Sequence, residues 1–304
     1  MIPLFNEEES IPELYREIVT TCEKESISFE IIFIDDGSTD MSFSVLENLQ
    51  KKDARIKVIQ FRKNFGKSEG LAAGFERAKG RYVMTMDADL QDDPAEIPAL
   101  IAKLEEGYDL VSGWKKKRRD PVSKRWPSKF YNAVTSRMTG LKLHDFNCGL
   151  KIYRCEVIKS IYVYGELHRY IPALAHLQGF RVTEMAVHHR ARKYSVSKFG
   201  SSRFLKGPLD LMTILFFSRY TRRPLHLFGF LGLIASILGG GITLYLIFIR
   251  IFRHAYLSNR PLLFIAIMML IMGIQFFSIG LLGEMITRSQ ADKHRFSIRK
   301  VLGE

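Results

Sequence analysis

A short apolar run leads directly into a cluster of carboxylates in the stretch Tyr82-Val83-Met84-Thr85-Met86-Asp87-Ala88-Asp89-Leu90-Gln91-Asp92-Asp93-Pro94. The apolar run has the composition of a β-strand. Residues two apart on an extended chain point the same way, so the pattern predicts that Asp87 and Asp89 face one spot, with Gln91 beside them if the chain stays extended. Hard oxygen atoms grouped in this way suit Mg²⁺ or Mn²⁺. A solvated acidic turn is the simpler alternative.

Predicted strands and helices alternate along the chain on both sides of this stretch. Strands are predicted at 29–34, 56–60, 81–86 and 108–113, and helices at 41–53, 68–79 and 94–104. This alternation is typical of an α/β fold with a parallel, doubly wound sheet. Only two residues precede Pro3, too few for a buried first strand, so we expect the natural start to lie several residues upstream.

Polar motifs follow three of the predicted strands. They are Asp35-Asp36, Asn64-Phe65-Gly66-Lys67 and Asp87-Ala88-Asp89. Ligands of parallel sheets bind at the carboxyl ends of the strands, so the three motifs predict one shared site. Gly66-Lys67-Ser68 ends like a phosphate-binding P-loop, but Phe61 stands where the first glycine is required, and no dinucleotide-binding glycine motif follows the first strand. A kinase, an NTPase or a dinucleotide enzyme is therefore disfavoured.

The composition limits the environment in which the protein works. The formal net charge of +13 favours an anionic partner, either a membrane surface, a nucleic acid or a phosphate substrate. Three cysteines give no paired framework and favour a reducing compartment, and no signal peptide is visible. Hydropathy changes near residue 205, where a soluble composition gives way to a membrane-associated one.

Two basic segments are candidate phosphate-binding loops. Residues 115–129 hold eight positive side chains, among them Arg118 and Lys129, directly after a predicted strand. A solvated loop and an anion-binding flap both fit this segment. Arg192, Ser197 and Lys198 lie in a second basic and polar loop, which suits a phosphate group.

The last third of the chain predicts a membrane anchor. Residues 201–224 mix apolar and basic side chains, as interfacial amphipathic helices do. Residues 227–249 and 262–283 are uncharged and as helices would each span about 33–34 Å, enough to cross a bilayer within a hairpin at 225–284. Basic residues before the hairpin and in the tail 285–304 favour cytoplasmic ends. The soluble domain before these segments would then comprise residues 1–200.

Taken in order, these motifs resemble family-2 glycosyltransferases of the polyprenyl-phosphate type, such as dolichyl-phosphate mannose synthases and bactoprenol glucosyltransferases. The matching motifs are Pro3-Leu4-Phe5-Asn6-Glu7, Asp35 to Asp40, Asn64 to Lys67, Asp87 to Gln91, and Arg192 with Ser197-Lys198. The resemblance implies the GT-A fold, a nucleotide-sugar donor, a divalent metal, and inverting sugar transfer to polyprenyl phosphate. It places the protein at a bacterial inner membrane with its catalytic domain in the cytoplasm. Members with such hairpins often form tetramers.

The same resemblance assigns roles to individual residues. Nucleotide-sugar binding falls to Pro3, Phe5, Glu7, Asp36, Lys67 and Asp87. The metal and diphosphate fall to Asp87, Asp89 and Gln91, and the acceptor phosphate to Arg118, Lys129, Arg192, Ser197 and Lys198. Asp89 and Asp145 are the candidate catalytic residues, with Asp145 orienting the acceptor or the sugar.

Three other functions are weaker alternatives. A processive polysaccharide synthase would carry a Q-x-x-R-W motif, but Val122 stands where its glutamine belongs. A lipid-binding or lipid-flipping subunit would not need the paired aspartates, and a nucleotidyltransferase would not need the hairpin. UDP-glucose is the preferred donor on the resemblance, with GDP-mannose or a UDP-aminoarabinose derivative as alternatives, and no nucleic acid is expected.

Overall fold

The structure is a computed structural model that describes residues 1–116, 132, 134–137, 139–191, 193, 224–253, 261–289 and 298–302. The chain divides into two compact units. The first comprises Met1–Leu211 together with His294–Glu304, and the second comprises Met212–Lys293.

The first unit is built from alternating strands and helices, as the sequence predicts. In chain order they are β1 Ile2–Leu4, α1 Ile11–Lys24, β2 Ile31–Asp35, α2 Ser42–Lys52, β3 Ile56–Phe61, α3 Lys67–Arg77, β4 Tyr82–Thr85, α4 Ile97–Glu105, β5 Leu110–Trp114, β6 Lys151–Arg154, α5 Cys155–Ser160, α6 Ile171–Leu177, β7 Val182–Ala186 and β8 Ile298–Leu302. Short 3₁₀ helices at Pro94–Glu96 and Leu167–Tyr170 precede α4 and α6. The predicted α/β class is confirmed. The expectation that the chain is too short for a buried first strand is wrong, because Ile2 and Leu4 of β1 are both buried.

The strands form two four-stranded groups. The first has the order β1-β2-β3-β8 and the second β4-β6-β5-β7. Strands β1, β2 and β3 are parallel, as are β5 and β7. Two hydrogen bonds join β1 to β4: the Met1 ammonium donates to the Met84 carbonyl at 2.7 Å, and the Met86 amide donates to the Met1 carbonyl at 3.1 Å.

The main departure from a parallel sheet is β6. This strand runs antiparallel to β4 on one side and to β5 on the other. Its first residue, Lys151, therefore lies level with the last residue of β4, Thr85. Because β6 runs the opposite way, its amino end reaches the edge where the carboxyl ends of the parallel strands meet.

Strand β2 is the centre of the core, because both of its faces are buried. Ile31 and Phe33 belong to the cluster that includes α1 and α4. Ile32 and Ile34 belong to the opposite cluster, which includes α3. Side chains alternate across a strand, so a run of apolar residues can fill both layers only if helices cover both faces of the sheet.

The predicted tail 285–304 contains a strand. β8 pairs antiparallel with β3, with Val58 opposite Leu302 and Gln60 opposite Lys300. It thereby covers the outer edge of β3, which would otherwise present unpaired backbone groups. The residues that follow the last helix therefore return to the first unit.

The second unit contains two long helices, α7 Pro224–Arg253 and α8 Pro261–Ser289. Both are longer than the predicted spans 227–249 and 262–283. Their backbones lie close together at glycines: a Cβ atom on Gly232 would lie 2.7 Å from the Gly273 carbonyl oxygen. Small residues permit such close packing of apolar helices. By length and composition, both helices could cross a membrane. Of the predicted interfacial segment 201–224, only residue 224 is described.

Candidate active site

The turns that follow β1 and β2 are joined by side-chain hydrogen bonds. Asn6 adopts a left-handed conformation with φ 54°, and its amide donates to Ser38 Oγ at 2.9 Å. Its side-chain oxygen accepts from the Thr39 amide at 2.8 Å. The Glu7 amide donates to Ser42 Oγ at 2.9 Å. Of the predicted nucleotide-binding residues, Pro3 therefore lies in β1, and Phe5 and Glu7 lie in the adjoining turn.

Asp36 directly follows β2, and its side chain joins this strand end to the loop after β3. Its two carboxylate oxygens accept from the backbone amides of Phe65 at 2.7 Å and Gly66 at 2.9 Å. Burial raises the pKa of this carboxyl group to about 6, against the opposing effect of the two amides. The predicted contact of Asp36 with the nucleotide stays a prediction, since both oxygens are engaged within the protein.

Asp87 is surrounded by positive charge. Its carboxylate forms an ion pair with Lys67, the first residue of α3, and each side chain is about one third exposed (33% and 32%). Burial raises the pKa of Asp87, but the nearby Lys67, Lys115 and Lys151 outweigh it and hold the pKa below its ordinary value. Asp87 is therefore a carboxylate at neutral pH.

The segment after Asp87 is not extended, and this part of the sequence prediction is wrong. The chain turns at Ala88–Leu90, and Leu90 has a left-handed conformation with φ 61°. The Gln91 amide donates to Asp89 Oδ1 at 3.2 Å across this turn. Asp87, Asp89 and Gln91 thus come from a tight turn, not from alternate positions along one face of a strand.

Asp92 is a buried carboxylate that the sequence prediction left without a role. Its side chain is 1% exposed, accepts from the Asp87 amide at 3.2 Å, and lies 3.3 Å from the ammonium of Lys115. Burial raises the pKa of Asp92. The pKa of Lys115 is also raised, because Asp92 and other nearby acidic groups outweigh the effect of its own burial. Asp92 and Lys115 therefore fix the shape of the turn that carries Asp87.

The donor set at this turn fits a hard divalent cation. Asp87 is ionised and partly exposed, and Asp89 and Gln91 add a carboxylate and an amide oxygen in the same turn. No group of three or more His, Cys, Asp and Glu side chains able to hold a metal is present in the part of the chain that the structure describes. The protein would thus supply few ligands and leave positions for water and phosphate, as is usual for Mg²⁺.

Asp145 lies in the segment that leads into β6 and passes beside Asp87. It is 1% exposed, and its Oδ1 accepts from the Asn147 amide at 3.1 Å. Gly149 lies four residues after Asp145, and a Cβ atom built on it would lie 2.5 Å from Asp87 Oδ2. The structure therefore brings the segment of Asp145 against the turn of Asp87.

Two further residues at this site carried no motif in the sequence. Lys151 is 4% exposed, and burial lowers its pKa to about 8. His168 Nδ1 is 2.9 Å from Ser68 Oγ, next to Lys67 in the chain. Burial and the nearby Lys67 lower the pKa of His168, so its ring is neutral at neutral pH. A lysine within the apolar run Leu150–Tyr153 was the available signal for Lys151.

The predicted acceptor-binding residues are outside the described part of the chain. They are Arg118, Lys129, Arg192, Ser197 and Lys198. Trp114 lies just before the first of these undescribed segments, and its indole stacks on the imidazole of His144 with 4.2 Å between ring centroids. The position of the acceptor phosphate therefore stays a prediction.

Comparison with known proteins places this chain among sugar-transferring enzymes. The model of the family described as glycosyl transferase family 2 matches residues 1–162. Dodecaprenyl-phosphate galacturonate synthase from Rhizobium johnstonii is 39% identical over 95% of this chain and 87% of its own length. Undecaprenyl-phosphate 4-deoxy-4-formamido-L-arabinose transferase from Pseudomonas fluorescens is 36% identical over 99% of this chain and 89% of its own.

A solved structure shares the fold. Glucosyl-3-phosphoglycerate synthase from Mycobacterium tuberculosis, in complex with Mn²⁺, uridine diphosphate and phosphoglyceric acid, superposes with a TM-score of 0.56. The likeness covers 71% of this chain and 76% of the synthase at 17% identity. At that identity it shows the fold alone, which is the GT-A fold that the sequence predicts.

Proposed function

The chain belongs to glycosyl transferase family 2, and from this premise we propose that it transfers one sugar from a nucleotide-sugar donor to polyprenyl phosphate. The observation that carries the proposal is the ionised Asp87 at the strand ends, held among Lys67, Lys115 and Lys151. A carboxylate in such a setting suits a diphosphate and its metal ion, because lysines and cation together offset the phosphate charge. The same chain carries two helices long enough to cross a membrane, where a polyprenyl acceptor resides.

Two relatives support a revised choice of the sugar in the donor. UDP-glucose is the first choice from the sequence alone. The names of the relatives at 39% and 36% identity specify galacturonate and 4-deoxy-4-formamido-L-arabinose instead. We therefore propose that the transferred sugar is a uronic acid or a modified arabinose, with glucose and mannose as the alternatives.

The proposed reaction is a single displacement at the anomeric carbon. A phosphate oxygen of the acceptor attacks that carbon, the bond to the nucleoside diphosphate breaks, and its electron pair leaves with the diphosphate, which inverts the configuration. The acceptor is a phosphate monoester with a second pKa near 6, so it is largely ionised at neutral pH and needs no strong base. Lys67 would contact the diphosphate, and Asp145 would orient the acceptor or the sugar.

A divalent cation has one role in this scheme. Held by Asp87, Asp89 and Gln91, it would stabilise the charge that accumulates on the departing diphosphate. The structure of the mycobacterial synthase contains Mn²⁺ together with uridine diphosphate. This supports a divalent ion in the present protein and leaves open which ion it is.

The connections of the second unit support a membrane arrangement. Residues on both sides of it, Met1–Leu211 and His294–Glu304, belong to the first unit, and β8 pairs with β3 there. We propose that α7 and α8 cross the membrane as a hairpin, since both ends must then lie on one side. Basic residues near these ends favour the cytoplasmic face of a bacterial inner membrane. The basic loops with Arg118, Lys129, Arg192, Ser197 and Lys198 would bind the lipid phosphate there.

A donor screen tests the proposal. The full chain, purified in detergent, is incubated with Mn²⁺, undecaprenyl phosphate and one radiolabelled nucleotide sugar at a time. We expect one donor to label the lipid fraction, with UDP-galacturonate and the UDP-formamidoarabinose derivative tested before UDP-glucose and GDP-mannose. If none of these donors labels the lipid, the proposal is overturned.

A further inference from the structure

Lys151 is a buried cation at the edge of the sheet where the candidate active site lies. It is the first residue of β6, opposite Thr85 on β4 and Ser112 on β5, and it is 4% exposed. Its ammonium donates to the carbonyl oxygen of Cys148. Within the residues that the structure describes, no carboxylate forms an ion pair with it.

A buried ammonium with one carbonyl acceptor is costly, because it loses its hydration without gaining a direct counterion. Burial lowers the pKa of Lys151 to about 8, and the nearby negative charges of Asp145 and Asp87 partly oppose that effect. Lys151 in turn is one of the lysines that hold the pKa of Asp87 low. Lys151 and Asp87 thus stabilise each other's charged forms.

The segment 145–149 is held to the sheet by two consecutive carbonyl groups. Lys151 binds the Cys148 carbonyl, and Thr85 Oγ1 donates to the Gly149 carbonyl at 2.9 Å. Gly149 in turn lies against the carboxylate of Asp87, since an added Cβ atom would be 2.5 Å from Asp87 Oδ2. A shift of this segment would therefore change the space available to Asp87.

We propose that Lys151 is a positioning residue of the active site: together with Thr85 it holds the 145–149 segment against the sheet and so fixes Asp87 for donor binding. The part of this proposal that concerns the donor rests on the proposed function. The part that concerns the segment does not.

The test combines a structural readout with kinetics on the full chain in detergent. Lys151→Met removes the charge and keeps the length of the side chain. Thr85→Val removes the hydrogen bond to the Gly149 carbonyl, together with the 3.2 Å hydrogen bond between Thr85 Oγ1 and the Tyr153 hydroxyl. Lys57→Met is the matched control, because Lys57 is also a mostly buried strand lysine (15% exposed), paired with Glu30 at 2.6 Å near the amino end of β3. Hydrogen–deuterium exchange is followed in peptides covering 145–150, and KM and kcat are measured for donor and acceptor.

We expect Lys151→Met to speed exchange in residues 145–150 and to lower kcat/KM for the donor roughly tenfold, with the acceptor KM nearly unchanged. Thr85→Val should act in the same direction more weakly, and it carries the test if Lys151→Met fails to fold. Exchange at 145–150 equal to that of Lys57→Met would overturn the proposal, as would an equal loss with donor and acceptor. If the wild type transfers no sugar, the proposed function fails, but the exchange experiment still decides the role of Lys151.

Discussion

Gly149 lies so close to Asp87 that a Cβ atom at position 149 would come within 2.5 Å of Asp87 Oδ2. The two residues are far apart in the chain, and the antiparallel strand β6 brings them together by starting where β4 ends. A side chain at 149 would have to displace the carboxylate, since real Cβ atoms do not approach that closely. The candidate active site therefore requires glycine at position 149.

Gly149→Ala should lower sugar transfer roughly a hundredfold, because displacement of a binding carboxylate by about 1 Å has effects of that size. The loss of stability should stay at about 1–3 kcal/mol, typical of local overpacking. Transfer rate and denaturation midpoint of the purified variant are measured together.

Gly70→Ala is the control for that substitution. Gly70 lies in α3, and its added Cβ atom would make ordinary contacts at 3.5 Å with Ile34 and 3.6 Å with Pro3. Alanine is favoured over glycine inside a helix, so this variant should fold and transfer sugar like the wild type. An active Gly149→Ala enzyme would show that Asp87 tolerates a different position.

Asp87→Asn and Asp89→Ala should each reduce transfer roughly a hundredfold or more, since both remove charge from the predicted metal and diphosphate site. Asp87→Asn also removes the carboxylate with which Lys67 forms an ion pair. The control is Asp109→Asn, because Asp109 precedes β5 and pairs with Arg154 at 3.5 Å. Initial rates at saturating donor, with circular dichroism to verify folding, give the comparison. Equal activity of the Asp87 and Asp109 variants would show that Asp87 has no role in sugar transfer.

Chelation should abolish transfer, because the lysines around Asp87 would then have to offset the charge of the departing diphosphate without the divalent ion. Activity is measured in EDTA and after addition of Mg²⁺ or Mn²⁺ in excess. We expect recovery with either ion, and no recovery in Asp87→Asn at the same concentrations. Full turnover in EDTA would contradict the metal site at Asp87, Asp89 and Gln91.

Asp145→Asn should lower the rate but keep the rising limb of the pH profile near pH 6, where the acceptor phosphate loses its second proton. The physical reason is that the ionised phosphate is its own nucleophile, so Asp145 orients groups rather than removing a proton. kcat/KM for the acceptor is measured from about pH 5 to 8 in both enzymes. Complete loss of transfer with intact donor binding would instead make Asp145 an essential base.

The elements of the first unit follow from local sequence to a large extent. The continuous apolar run in β2 predicts a strand covered on both faces, and α2 at Ser42–Lys52 lies within the predicted 41–53. Strand direction is not encoded in hydrophobic pattern, so neither the antiparallel β6 nor the pairing of β8 with β3 was predicted. Both depend on contacts between residues far apart in the chain.

The site was only partly predictable for a related reason. The carboxylates Asp87 and Asp89 follow a strand, and that placement is right, but an extended register was expected where the chain turns at Leu90. Leucine seldom adopts a left-handed conformation, so the local sequence does not place the turn at Leu90, although an acidic turn was the alternative for this stretch. Lys151 was missed because a single lysine in an apolar strand gives no information on what lies around it in the folded protein.

The most direct test of the account is the mass of the lipid product. Undecaprenyl phosphate, Mn²⁺ and the donor identified by the screen are incubated with the full chain, and the extracted lipid is analysed by mass spectrometry beside the Asp87→Asn control. We predict undecaprenyl phosphate carrying one sugar residue, and no such species with the control. Lipid bearing a series of several sugars, or a sugar product with no lipid attached, would contradict transfer of a single sugar to polyprenyl phosphate.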